Sequence, residues 1–330
     1  MKAKALFAAA AVLLAAASCM ETTLTGPDRE IAFMPVTDIT TKAPIAGTTF
    51  PTARTIYLTA HYNAPAAAYT GEYFRDIPFN RQDGTWKGGT AAVPNPKYWP
   101  QNGTLDFLAY SVADNLKAAS TVTYGGTTVA AGLTFTMGDN RSIQDDILFA
   151  GRNAVYTPTA PVQMTFRHAQ AQVAFTGLCS VPYNATTNTG ITVTRITLAQ
   201  AYYAGKCAVT RSGDAVSFAW SDLASRNTRN VPGITAVNLT ATAQALGSAG
   251  VLLPQQSAVA FTIYYTLHNG FKADGTTPLD NDLFYTYTPA AGTWACGNRY
   301  VYDISFTLNE ITVSPSVTDW VEPTHTAVGI

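Results

Sequence analysis

The sequence predicts an all-β protein made of β-sandwich domains, and three observations predict it. Apolar and polar residues alternate in many short runs, the longest being Tyr300, Tyr302, Ile304, Phe306 and Leu308. The runs are separated by clusters of Gly, Pro, Asn and Asp. Sustained helical periodicity is scarce; the best stretch, Val237 to Leu246, reads as a helix but is rich in β-branched Thr.

Ahead of the first run stands a leader. Lys2 and Lys4 precede an apolar stretch from Ala5 to Ala17 that is too short for a permanent membrane helix and matches a secretory signal. It ends in Ala16-Ala17-Ser18 before Cys19, small residues leading into a cysteine that can be cleaved and acylated. Residues 1–18 are therefore expected to be a lipoprotein signal peptide, Cys19 the lipidated residue, and 19–29 a tether. Ala16 replaces the usual leucine of such a lipobox, and an ordinary signal peptide with an incidental cysteine is the bland reading. Lipid would make an outer-membrane lipoprotein precursor with acyl chains as its anchor, because no later stretch is long and apolar enough to span a bilayer.

The first strand is expected at Glu30 to Val36, with Ile31 and Phe33 facing the core and Pro35 bending or ending it. After the stretch TTKAPIAGTTFPTAR, Ile56, Leu58, Ala60 and Tyr62 share one face of a half-buried strand whose other face carries Tyr57, Thr59 and His61. Leu105, Phe107 and Ala109 form the next alternation, then Leu133, Phe135 and Met137, then DDILFAG. The extended, Pro-interrupted TPTAP before Val162 places a domain boundary at 160/161, giving domains 30–160 and 161–330. Two domains also suit a 330-residue chain. In the second half Val162, Met164 and Phe166 alternate, as do Ala171, Val173 and Phe175, then Ile196 and Leu198, then Phe261, Ile263, Tyr265 and Leu267.

Composition excludes several functions. Charged residues are 12% and the net charge is -1, so no basic footprint for nucleic acid exists. His61, His168, His268 and His325 lie in separate segments without acidic or histidine neighbours at ligand spacing, which argues against a metal centre. Asp145 and Asp146 are adjacent and would point to opposite faces of a strand, and Asp280, Asn281 and Asp282 read as a polar turn. Phosphate-cradling glycine motifs and nucleophile elbows are absent, so no cofactor is implied and the chain does not read as an enzyme. Cys179, Cys207 and Cys296 leave one disulfide or buried free thiols both open.

KYWPQNGTLDFLAY, FRHAQAQVAF, VLLPQQ, WACGNRYVYDISF and a closing Val-Thr-Asp-Trp at Val317 to Trp320 carry a resemblance, in order and spacing, to the fimbrillin family of Bacteroidetes lipoproteins, the pilins of type V pili. The resemblance implies two tandem transthyretin-like β-sandwich domains. It further implies an arginine-specific protease that cuts in the loop behind the first strand, and polymerisation with other pilin subunits by strand replacement, with cell adhesion as the outcome.

Such an exchange needs a removable strand, a cleavable loop and a spare donor. The removable element would be residues 30–54, with Arg54 as the residue cut after. Arg29 is its rival, since cutting there would release the lipid but keep the first strand. The donor would lie after Ile311, in the alternation of Ile311, Val313 and Val317 that Pro315 interrupts. The alternative is a tail that simply closes its own sandwich. The competing function is a monomeric surface lipoprotein that binds glycans or host protein through exposed aromatics, for which 17 Tyr, 5 Trp and Trp86 in the DGTW turn are the motivation.

Overall fold

A computed structural model of the chain describes residues 29–37, 50–65, 70–126, 131–156, 160–307 and 310–319. Cys19, the rest of the leader, most of the loop behind the first strand, Trp320 and His325 lie outside the described residues. Strands dominate. In chain order they are β1 (Phe33–Thr37), β2 (Ile56–Asn63), β3 (Thr70–Gln82), β4 (Thr85–Gly88), β5 (Thr104–Val112), β6 (Thr121–Tyr124), β7 (Leu133–Met137), β8 (Ile147–Val155), β9 (Val162–His168), β10 (Ala171–Cys179) and β11 (Thr189–Ala201). There follow β12 (Ala204–Ser212), β13 (Ala215–Ala224), β14 (Asn227–Asn230), β15 (Val237–Asn238), β16 (Gln244–Leu253), β17 (Gln256–Ser257), β18 (Phe261–Phe271), β19 (Pro278–Tyr287), β20 (Thr293–Trp294), β21 (Asn298–Phe306) and β22 (Ile311–Asp319). One short helix, α1 (Asp114–Ala118), follows β5.

The chain is all-β, as the alternating pattern predicts. Where a helix was expected, from Val237 to Leu246, the backbone forms β15 and the start of β16. Branched Thr side chains and pairing to β11 and β10 outweigh the weak helical period.

The first half closes on itself as a barrel in the order β1-β4-β3-β2-β5-β8-β9, with β9 returning to β1. Its core holds Ile31, Phe33, Ile56, Leu58, Phe79, Phe107 and Phe166. The second half is a sandwich of the sheets β16-β10-β21-β22 and β14-β11-β18-β19, around Phe175, Phe261, Trp294, Tyr302 and Phe306.

Strand pairing does not part at 160/161. The expected boundary falls between β8 and β9, which are neighbours in the barrel, so strands on both sides of 160/161 build the same barrel. The hairpin β12–β13, from the second half, joins β7 and β6 of the first in a sheet of its own. This sheet covers the outer face of the barrel over a third core of Tyr110, Phe135, Phe149, Cys207 and Val209. Covering also explains why β2 is buried on both faces. Thr59 and His61, on the face opposite Ile56, Leu58 and Ala60, are only 6% and 5% exposed, and Thr59 Oγ1 donates to Tyr124 Oη at 2.9 Å.

The hairpin is fastened by charge. Arg211 lies 2.9 Å from the Asp106 carboxylate on β5, which also accepts from Asn63 at 2.7 Å and Asn153 at 2.8 Å. Gly151 on β8 makes room for this: a Cβ there would stand 3.0 Å from Arg211 Cδ.

Candidate functional site

The barrel is closed by its first strand. β1 runs parallel to β9 over five register pairs, Phe33↔Val162 to Thr37↔Phe166, and meets β4 only at Phe33↔Trp86. Just ahead of it the chain is held by Ile31 N donating to Lys97 O at 2.6 Å and Trp99 N donating to Arg29 O at 2.9 Å. Glu30 adds an ion pair with Lys87 at 3.2 Å. The expected core-facing residues are both in place: Ile31 is 0% and Phe33 1% exposed. Phe33 meets the edges of Phe79 at 5.5 Å and Phe107 at 5.0 Å. The strand continues through Pro35, opposite Met164.

A third plug, Phe50, was not anticipated from sequence. It is 1% exposed and stands 4.9 Å from Phe166 and 5.6 Å from Trp86. A single apolar residue between Thr and Pro has no period to reveal it; its size in a polar loop was the available signal. Together Ile31, Phe33 and Phe50 contribute roughly 5–9 kcal/mol of burial. Removing residues 30–54 would empty a trough lined by Phe79, Trp86, Phe107, Met164 and Phe166, and would leave the edge of β9 unpaired.

Arg54 lies at the end of this segment, next to the exposed residues Thr52 and Ala53 and one residue before Thr55. It is half-buried and tied three ways. Its N–H donates to Pro51 O at 3.1 Å, its carbonyl accepts from Trp86 Nε1 at 3.2 Å, and its guanidinium donates to Asp146 O at 2.9 Å. Asp146 in turn bonds His168 through its carboxylate at 2.8 Å, with both side chains buried. Arg29 is also engaged: its guanidinium stacks 4.5 Å over the Tyr156 ring and donates to Pro100 O.

The stretch after Ile311 is β22, an edge strand paired antiparallel to β21 of its own chain from Phe306↔Ile311 to Asn298↔Asp319. Ile311 and Val313 pack against the second core, whereas Val317 is 58% exposed. Pro315 sits mid-strand opposite Tyr302; an edge strand has a flank without ladder partners, which tolerates the missing N–H.

The other singled-out residues are accounted for by packing. Trp86 is 5% exposed, so the aromatic of the DGTW turn is no surface platform; its indole closes over Phe50. Trp99 and Trp294 are in the cores. Asp280 and Asp282 are strand residues of β19, and not a turn: Asp280 bonds His268 and Asn188, both at 2.8 Å, and Asp282 accepts from Thr266 at 2.7 Å. The hydrogen bonds from Asn188 and His268 hold the Asp280 carboxyl below its ordinary range. Cys179, Cys207 and Cys296 are free thiols, and burial raises all three. Among the described residues no group of three or more His, Cys, Asp or Glu is placed to hold a metal ion, and no helix is long and apolar enough to cross a membrane.

The sequence pattern of the fimbrillin-like family matches residues 41–320, and the chain belongs to that family. No functionally curated protein matches it. Its fold is similar to the crystal structure of a fimbrial protein from Bacteroides vulgatus ATCC 8482, with a TM-score of 0.61 at 14% identity, covering 89% of this chain and 100% of that one. A protein from Bacteroides ovatus ATCC 8483 with a proposed cell-adhesion role is also similar, with a TM-score of 0.51 at 14% identity over 90% of this chain and 99% of that one.

Proposed function

We propose that this chain is a structural subunit of a cell-surface fimbria that supports adhesion, and that it assembles with other pilin subunits by exchanging β1. The reading rests on one observation: β1 completes the barrel through a five-residue ladder on one side and a single register pair on the other, yet it and the residues just ahead of it supply two fully buried core side chains, Phe33 and Ile31. Such a strand is weakly tied through its backbone and strongly required by the core. Its loss creates an acceptor for an incoming strand, with main-chain bonds for affinity and alternating side chains for register.

In this reading the chain reaches the outer membrane as a lipoprotein acylated on Cys19. An arginine-specific protease cuts after Arg54, and the lipid, β1 and Phe50 leave together. The strand donated to the neighbour comes from the region of Ile311, Val313 and Val317, whose side chains already alternate in β22. Donation requires β22 to exchange its partner β21 for the trough of the next subunit.

The test is to treat the purified precursor from residue 20 onward with an arginine-specific protease, read the new amino terminus, and run the product unboiled on a denaturing gel. A terminus at Thr55 with a stable ladder is the expected result. A chain left intact, or trimmed only after Arg29 and still monomeric, would overturn the exchange mechanism and favour a monomeric binding protein.

A further inference from the structure

The second sandwich is open along one side. Its two sheets end there on β19 and β22, neither of which has an outer strand neighbour among the described residues. Between the inner faces lies a slot of about 590 Å³ lined by Val181, Tyr265, Leu267, Tyr285, Phe306 and Ile311. Pairing with β18 places Leu279, Asn281, Leu283, Tyr285 and Tyr287 on the slot side of β19, and Asp280, Asp282, Phe284 and Thr286 on the outer side.

β19 lacks the usual guards of a free edge. It carries no lysine, its only proline is the first residue, and its pairing with β18 is unbroken from Phe261↔Tyr287 to His268↔Asp280. It also shows apolar side chains to solvent: Leu279 is 40%, Leu283 41% and Phe284 69% exposed. The two carboxylates offer the one obstacle to pairing, and both are already hydrogen-bonded within their own sheet.

We propose that β19 is a docking edge for a second copy of this chain, paired antiparallel about a two-fold axis through Leu283. Residues opposite one another in a ladder face the same side of the sheet, so the register can shift only in steps that preserve the faces. Centring the pair on Asp282 would set that carboxylate against itself, and centring it on Asn281 would set Asp280 against Asp282; like charges directly opposite are destabilising. Centring on Leu283 puts Leu279 opposite Tyr287, Asp280 opposite Thr286, Asn281 opposite Tyr285 and Asp282 opposite Phe284. The ladder then spans 279–287 with no like-charge pair, the longest such register within β19, since centring on Phe284 would also avoid one but would pair only 281–287.

The axis stands normal to the sheet, which keeps the β22-bearing sheets of both copies on one side. The two slots therefore face each other and close together, burying Leu283 and Tyr285 of both copies. A lone strand laid on β19 would leave the second slot edge, β22, uncovered. The arrangement is independent of cleavage at Arg54 and would link subunits sideways, whatever joins them end to end.

The test is sedimentation velocity of the unprocessed chain from residue 20 onward, across the micromolar range and without protease, so that strand exchange cannot contribute. A dimer is expected, and Leu283→Lys should weaken it by about tenfold or more while leaving the melting curve of the dilute monomer unchanged, since the site is exposed in the single chain. In a Cys296→Ser background, Leu283→Cys should cross-link to itself under mild oxidation while Asn281→Cys does not, because only residue 283 faces its own copy. A chain that stays monomeric throughout overturns the proposal. So does a dimer that survives Leu283→Lys and fails to cross-link through Leu283→Cys.

Discussion

The indole N–H of Trp86 donates to the carbonyl of Arg54 at 3.2 Å. The same ring packs on Phe50 at 5.6 Å, and its backbone is the β4 position opposite Phe33. Through its side chain Trp86 thus meets the bond proposed for cleavage and Phe50, and through its backbone it pairs with Phe33, both of which cleavage would remove. A protease must draw Arg54 into an extended conformation with its guanidinium free, which this contact and the bond to Asp146 O oppose. Replacing Trp86 with Phe keeps an aromatic plug and deletes the donor. We expect loss of roughly 0.5–1.5 kcal/mol of stability and faster cutting after Arg54, read as a time course of the Thr55 terminus.

Arg54→Ala should abolish both the Thr55 terminus and the ladder. Arg29→Ala should leave both intact, because the residue lies ahead of β1. A ladder that persists in Arg54→Ala and disappears in Arg29→Ala would transfer the cut to Arg29.

Phe33→Ala should cost about 3–5 kcal/mol in the uncut chain, since the ring is enclosed by Phe79 and Phe107. In chain already processed after Arg54 the same substitution has no residue left to act on. Denaturant unfolding of the two forms should therefore show a large difference before cutting and none after it.

The Asp106 clamp predicts a pH dependence. Partial burial alone would raise this carboxyl, but hydrogen bonds from Asn153 and Asn63 and the charge of Arg211 together hold it below its ordinary value. The folded pKa thus lies below the unfolded one, near 4 for an aspartate. The stabilisation is present above about pH 4 and is lost as pH falls through the lowered folded value. Asp106→Asn should be less stable at neutral pH and flatter across the acid range, measured by thermal melts from neutral pH downwards. Gly151→Ala, which crowds Arg211, should weaken the same clamp.

The strands with a clean period of two were legible, because a face that alternates can be counted along the chain. Ile31 and Phe33, the Ile56–Leu58–Ala60 face and the Tyr300 to Phe306 run all point where their spacing says they should. Partnership was not legible. β1 lies against β9 in a parallel ladder, and nothing local in either segment announces the other. The return of β12–β13 to β7 is equally silent. Trp86 and Phe50 are solitary apolar residues among polar ones, and only three-dimensional proximity reveals them as a pair. His168 and Asp146 are 22 residues apart and meet only because β8 and β9 are adjacent.

The parallel pairing of β1 with β9 also sets an order of arrival. Phe33 and Val162 are 129 residues apart (33 to 162), so the first strand to be synthesised waits for its ladder until six further barrel strands have been made and β9 is among them. Closing so long a loop carries an entropic cost that hairpin neighbours such as β2–β3 or β5–β8 do not bear. On that cost the barrel is expected to form from its middle outwards, with its earliest piece seated last. A strand added at the final step is the one whose place another chain can take with the least rebuilding of what came before.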